Sequence, residues 1–309
     1  MFFIAGGTGF VGSHLVQALA QNGRRGKSAR CLVRDAKKGE LCKKPGLESA
    51  TGDITDRQSL EGKLDGCDIA VHLVGILEEK GDMTFEKVHV EGTRNLVEEA
   101  KKSGIKHLFF QSALGASPSS WSDYFRTKAE AEELVKTSGI PYTIFRPSLV
   151  VGRGDGFTEK LKELIQVAPI VPVPGSGNAK LQPIFIEDWV RCFMKIFSSP
   201  LPISFHPSPV FEFGGPEHLT YNEIIAQLMD AMGVNKTMVH LPLGAIRLTL
   251  PFSGITQWTG NLLGKKIPSV TKEQLGLLQL DNICDIKSVE NNFGFKPMIF
   301  KEALKKFIN

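Results

Sequence analysis

Several features that would assign a sequence at once are missing here. The 309 residues hold only five cysteines, Cys31, Cys42, Cys67, Cys192 and Cys284, an odd number without a C-x-x-C pair. That excludes a disulfide scaffold and fits reduced thiols in a cytosol-like compartment. No apolar run approaches the roughly 20 residues a spanning helix needs. Leu241–Leu263 comes nearest, but Pro242, Arg247, Pro251 and several glycines interrupt it. An interfacial amphipathic segment, a lid or a partner surface remain as its readings. Met1–Ala5 is apolar, yet Gly6-Gly7 follows at once and leaves no room for a signal-peptide core. The expected location is cytoplasmic, with residues 241–263 as the candidate contact for a membrane surface or membrane complex. Charge of one sign is lacking too: 37 basic against 33 acidic residues give +4, spread along the chain. That argues against nucleic acid as a partner. The seven histidines have no H-E-x-x-H or other ligand spacing, so no metal is expected. There is no G-x-S-x-G elbow, since Gly175-Ser176-Gly177 lies in a proline-rich loop. Cys42 and Cys67 lack a paired histidine motif and read as packing residues.

What is present is an alternation. Phe2–Ala5, Ala29–Val33, Ile69–Val74, His107–Gln111 and Thr143–Phe145 are short and apolar, as buried parallel strands are. Helical patterns lie between them at Val11–Gln21, Arg57–Lys63, Phe85–Ser103 and Ser122–Ser138. In the third, Val88, Gly92, Leu96 and Ala100 share one face, while Glu98, Glu99, Lys101 and Lys102 are expected to face water. Gly104 and Gly139 read as left-handed caps. Repeated strand–helix units imply an α/β fold, a doubly wound parallel sheet. Residues 1–150 read as the dinucleotide-binding domain. Residues 151–309 read as a smaller, mixed substrate or partner region, from which 183–215 returns to the sheet. Helical patterns there fall at Ile186–Phe197, Tyr221–Met232 and Lys301–Phe307.

The strongest local signal is Gly6-Gly7-Thr8-Gly9-Phe10-Val11-Gly12, directly after a strand and opening a helix. Gly6 permits a tight turn, Gly9 lets the backbone approach a pyrophosphate, and Gly12 lets helix and strand pack closely. The helix N-terminus then receives the phosphates. The second strand ends at Leu32-Val33-Arg34-Asp35. A basic residue here neutralises the 2′-phosphate of NADP, whereas an acidic one bonds the ribose of NAD. Arg34 comes first, so NADP is favoured, and Asp35 keeps NAD as the second choice. In Gly52-Asp53-Ile54-Thr55-Asp56, at the end of the third strand, Asp53 can meet an adenine amino group while Ile54 packs on its ring. The alternative is a helix cap at Thr55 or Asp56. Tyr124 and Lys128 form Y-x-x-x-K within a helical pattern, which puts both on one face. An ammonium beside a phenol lowers its pKa, making it a usable acid–base. Ser112 follows the preceding strand and can orient a carbonyl.

Taken together, Gly6–Gly12, Gly52–Asp56, Ser112, Tyr124–Lys128 and Arg146-Pro147-Ser148 resemble the short-chain dehydrogenase/reductase superfamily, extended type. Val90–Leu96, Ile186–Val190, Phe213–Pro216 and Leu219–Tyr221 extend the likeness over nearly the whole chain. Gln111–Ala116, Thr127–Glu132, Phe145–Ser148 and Val151–Asp155 are similar to an atypical group of NAD-dependent epimerase/dehydratase-like proteins. That group includes bacterial relatives of the nucleotide-binding accessory subunit of respiratory complex I. The resemblance implies a Rossmann sheet binding NADP or NAD. It also implies a Ser112–Tyr124–Lys128 catalytic set, and cofactor contacts from Leu73, Val74, Gly75, Pro147, Ser148 and Leu149. In that set Tyr124 is the acid–base, Lys128 binds ribose and Ser112 polarises the carbonyl of an unidentified small-molecule substrate.

One position departs from the enzymatic pattern. His89 stands where extended enzymes carry the Asn of Asn-Val-x-Gly-Thr, an Asn that helps hold a relay water. Either the imidazole holds that water or it is a buried histidine satisfying backbone groups. Two functions follow: an NADP-dependent oxidoreductase or epimerase-like enzyme, or a nucleotide-binding accessory or assembly subunit of a respiratory or photosynthetic membrane complex.

Overall fold

The computed structural model describes residues 1–22, 29–35, 46–198, 210–244 and 271–308. Cys42 and residues 245–263 of the apolar stretch lie outside them. The first half runs β1 (Phe2–Ala5), α1 (Phe10–Asn22), β2 (Ala29–Val33), β3 (Leu47–Thr51), α2 (Arg57–Leu60), β4 (Ile69–His72), α3 (Gly92–Lys102), β5 (His107–Gln111), α4 (Asp123–Lys136) and β6 (Tyr142–Pro147). A π-helical segment, Glu86–Glu91, leads directly into α3. Then follow β7 (Val150–Val151), α5 (Thr158–Val167), β8 (Val171–Pro174), β9 (Lys180–Leu181), β10 (Ile184–Phe185), α6 (Ile186–Ser198), β11 (Val210–Phe213), β12 (Leu219–Thr220), α7 (Tyr221–Ala231) and β13 (Met238–Leu241). Three short helices, Lys272–Leu277, Ser288–Phe293 and Phe300–Phe307, come last.

Seven strands form one parallel sheet in the order β11-β6-β5-β4-β1-β2-β3, a Rossmann-like arrangement. The order reverses between β1 and β4. Open α/β sheets bind ligands at that reversal, beyond the carboxyl ends of the strands. Every residue of β1 is buried, which explains its unbroken apolar run. By contrast β3 is an edge strand of partly exposed residues, Leu47-Glu48-Ser49-Ala50-Thr51, and carries no such run.

The chain divides into two compact units, Met1–Pro147 with Trp189–Phe213, and Ser148–Asp188 with Gly214–Asn309. In the first unit the Phe109 ring meets Phe145 and Phe193 edge-on, at 4.8 and 4.9 Å between centroids, and Trp189 stands edge-on to Phe145 at 5.7 Å. Another core cluster joins Phe3, Ile54, Leu96, Ala100, Phe110, Ala131 and Ile144. Gly104 and Gly139 adopt φ of 69° and 78°, the left-handed caps expected. Glu99 does not face water as expected. It is buried, and its carboxylate accepts the Gly62 N–H at 2.8 Å because the turn after α2 folds over this side of α3. In the second unit β8 pairs with β13, β7 with β10 and β9 with β12. There the buried Gln182 amide donates to the Gly215 carbonyl and accepts the Cys284 N–H.

Candidate cofactor and catalytic site

The glycine loop follows β1 and opens α1. Gly6 has φ of 91°, and a Cβ on it would lie 2.9 Å from the Leu73 carbonyl carbon. Glycine there serves both the turn and the close approach of the chain leaving β4. A Cβ on Gly12 would run into the Gly6 carbonyl, so α1 starts against the loop itself. Gly9 donates its N–H to the Gly6 carbonyl at 3.0 Å and accepts from Ser13 N–H at 2.9 Å. Thr8 and Gly9 are exposed, Phe10 and Val11 half-buried. The nearest atom to a Cβ on Gly9 is the Gly6 carbonyl oxygen, at 3.3 Å, with no other within 4 Å.

Arg34, just past β2, is exposed and has no hydrogen bond or ion pair with any described residue. One Asp53 carboxylate oxygen accepts both the N–H and the hydroxyl of Thr55, at 2.9 Å each. Asp56 caps α2 by accepting the Gln58 N–H. Ile54 belongs to the buried core, and the Asn95 amide holds its carbonyl at 3.0 Å. Asp53 and Thr55 are half-buried and Asp56 is exposed, so all three polar side chains of this loop reach solvent.

The chain leaving β4 passes Leu73 and Val74, both half-buried, to an exposed Gly75. A Cβ on Gly75 would sit 3.0 Å from Lys128 Nζ and 3.6 Å from His89 Nε2. Lys128 is 4% exposed. Its ammonium donates to the Gln111 carbonyl at 3.1 Å and lies 5.2 Å above the Phe110 ring. Burial pulls its pKa down to about 8, against the opposing pull of Glu132. Tyr124, one turn earlier on α4, is half-buried, edge-on to Phe85 at 5.9 Å and to His89 at 5.6 Å. Ser112 is 3% exposed, and its hydroxyl has no partner of ordinary hydrogen-bond length among the described residues. The Gln111 side-chain oxygen is likewise unpartnered.

Two sets of residues fix α4 that spacing did not disclose. Glu132 is fully buried and receives both Arg146 Nε and Nη2, at 2.8 and 2.7 Å; Arg146 also bonds Glu212 on β11 at 2.8 Å. Burial pushes the Glu132 carboxyl up, but Arg146 and, at longer range, Ser112 hold it below its ordinary value. The second set is a chain of histidines and threonines. His72 Nε2 meets Thr93 Oγ1 at 3.0 Å, and Thr93 donates to the His89 carbonyl. His89 Nδ1 meets Thr127 Oγ1 at 2.9 Å, and its Nε2 accepts the Ile76 N–H at 3.1 Å. Both ring nitrogens of His89 are thus engaged by protein, and neither is left for a relay water. Two signals for this set stood in the sequence: His89 in place of the Asn, whose reading as a buried histidine satisfying a backbone group agrees with the Ile76 N–H contact, and a histidine closing the buried apolar strand Ile69-Ala70-Val71-His72.

Of the remaining expected contacts, Pro147 ends β6 and its carbonyl accepts the Leu114 N–H at 3.0 Å. Within the second unit the Ser148 hydroxyl donates to the Asn282 carbonyl and accepts the Gln182 N–H, and the Leu149 carbonyl accepts the Ile184 N–H. The Ser148 hydroxyl is therefore already committed. The residues beyond the carboxyl ends of these strands fit a dinucleotide: a loop that side chains would fill at Gly6 and Gly12, and an exposed cation at Arg34 that has no ion pair among the described residues.

Comparison with known proteins agrees. Residues 6–161 match the model of a family described as NAD(P)H-binding. The chain is 29% identical to a ceramide reductase of Caulobacter vibrioides, over 77% of its own length and 73% of that protein's. It is 27% identical to the mitochondrial NADH dehydrogenase [ubiquinone] 1 alpha subcomplex subunit 9 of Arabidopsis thaliana, over 77% of its own length and 60% of the subunit's. Among solved structures, a dTDP-glucose 4,6-dehydratase of Streptomyces venezuelae with NAD bound superposes with a TM-score of 0.72 at 19% identity. That match covers 99% of this chain and 95% of the other, and it speaks for the fold.

Proposed function

Because this chain belongs to the NAD(P)H-binding family, on an extended short-chain dehydrogenase/reductase-like fold, we propose that it is an NADP-dependent oxidoreductase acting on a carbonyl or secondary alcohol. The observation that carries this reading is the buried Lys128 ammonium, one turn after Tyr124 on α4, which donates to the Gln111 carbonyl and stands against Gly75 of the loop leaving β4. The glycine loop and Arg34 would hold the dinucleotide's phosphates, and Asp53 its adenine. Bound there, the dinucleotide supplies or accepts a hydride at its nicotinamide. Tyr124 gives the matching proton to the substrate oxygen, or takes it in the reverse direction. Lys128 binds the nicotinamide ribose and keeps a positive charge beside the phenol. Ser112 donates to the substrate carbonyl. The second unit is read as the part that selects substrate or partner.

A second reading, a nucleotide-binding accessory subunit of a membrane complex, draws on the likeness to the complex I subunit and on His89, whose nitrogens are both engaged. Bound nucleotide at a thousand times its dissociation constant stabilises a fold by about 4 kcal/mol, which gives such a subunit a use for the site. No helix among the described residues is long and apolar enough to cross a membrane. Tyr124→Phe separates the two. On the first reading it keeps NADPH binding within a few-fold and abolishes hydride transfer in a carbonyl screen. Activity persisting in Tyr124→Phe would remove Tyr124 from the acid's role. A wild-type chain that binds NADPH yet transfers no hydride to any carbonyl would favour the second reading.

A further inference from the structure

We propose that His72 and His89 form a two-point clamp, holding the loop 73–76 by the backbone N–H groups of Val74 and Ile76, and so act as positioning residues for nucleotide binding. The Val74 N–H points at His72 Nδ1 at 3.3 Å, and the Ile76 N–H at His89 Nε2 at 3.1 Å. A backbone N–H only donates, so both ring nitrogens must be acceptors. The other two nitrogens then carry the protons. Thr93 gives its own proton to the His89 carbonyl, so its oxygen accepts from His72 Nε2. Thr127 gives its proton to the Asp123 carbonyl at 2.8 Å, so its oxygen accepts from His89 Nδ1. The two imidazoles are therefore opposite tautomers, each set by a threonine on a helix.

The clamped loop belongs to no strand or helix, and a third amide, that of Leu73, donates to the Ala5 carbonyl at 2.9 Å. These anchors keep Leu73 against Gly6 and Gly75 against the Lys128 ammonium, the two close approaches of the site. Protonating either ring would turn an acceptor into a donor facing an N–H. Burial first, and the Lys128 charge second, oppose that: the pKa values fall to about 3 for His72 and about 2 for His89. The clamp's link to nucleotide binding rests on the proposed place of the loop in the cofactor site. The clamp itself does not.

The test has two arms on the full chain. Long-range proton–nitrogen correlation of 15N-histidine protein should show His89 protonated at Nδ1 and His72 at Nε2, with neither titrating between about pH 5.5 and 8. His89 protonated at Nε2, or titrating in that range, overturns the clamp. In calorimetric titration, Thr127→Val should weaken NADPH binding roughly tenfold, the loss of about one hydrogen bond's worth of order. Thr127→Ser, which restores the hydroxyl, should return it to within about twofold of wild type. A generally loosened fold would not be rescued in that way. Unchanged affinity in Thr127→Val overturns the link between clamp and nucleotide. A wild-type chain that binds neither NADPH nor NADH overturns the cofactor reading, whatever the tautomers.

Discussion

Arg34 stands exposed and without a partner among the described residues, next to the loop that would receive a dinucleotide. A 2′-phosphate there gains a charge-assisted hydrogen bond, worth about 1.5–3 kcal/mol and so about tenfold or more in affinity. Calorimetry should show NADPH binding tighter than NADH by that factor, and Arg34→Ala should remove the difference. Lys128 gives a second expectation. Its pKa, lowered to about 8 by burial, means that the free protein loses this charge as pH rises through 8. NADPH affinity should therefore weaken above about pH 8 and hold steady from pH 6 to 7.5, as fluorescence titration would report. At this scale the glycine loop and the Tyr124–Lys128 pair were legible because their meaning lies in local spacing. His89–Thr127, 38 residues apart, was not, because only tertiary packing brings the two together.

At the scale of elements, α4 carries Tyr124 and Lys128, the proposed acid–base pair, and is tied to the sheet by Glu132 and Arg146. Glu132 is fully buried, and Arg146 is about one-fifth exposed. Removing one partner of a buried pair costs about 3–5 kcal/mol, and the lower end suits this partly wet arginine. Urea unfolding of Glu132→Gln should show a loss of about 3 kcal/mol, and a loss under 1 kcal/mol would mean the pair holds nothing in place. Strands β1, β2 and β5 were legible to the residue, since buried parallel strands read as continuous apolar runs. The edge strand β3 left no run to read, and the burial of Glu99 came from a turn that folds over α3. The alternation of elements conveyed the doubly wound sheet. It said nothing of the π-helical segment before α3, which has no period of its own in the sequence.

For the whole molecule, the three histidines buried among the described residues shape the response to acid. His72, His89 and His107 have pKa values lowered to about 3, 2 and 4, with burial the first cause for each. The unfolded chain takes protons on them below about pH 6.5 while the folded chain does not. Stability is thus fully present above that pH and falls as pH drops towards the folded values, by about 1.4 kcal/mol per pH unit for each group. Denaturant unfolding at pH 5.5 against pH 7.5 should show uptake of nearly three protons, and a flat profile would mean these rings are not buried neutral.

On the proposed function, the reversal of the sheet between β1 and β4 is a dinucleotide site built on the Gly6–Gly12 loop. Gly9→Val tests it most directly. A Cβ at the exposed Gly9 meets the Gly6 carbonyl oxygen, at 3.3 Å, and no core side chain within 4 Å, and the added side chain would occupy the space where a pyrophosphate meets the backbone. Titration of both proteins with NADPH, with circular dichroism in parallel, should give saturable binding to the wild type and none to a Gly9→Val chain whose spectrum is unchanged. Binding of equal strength in the two would contradict the account.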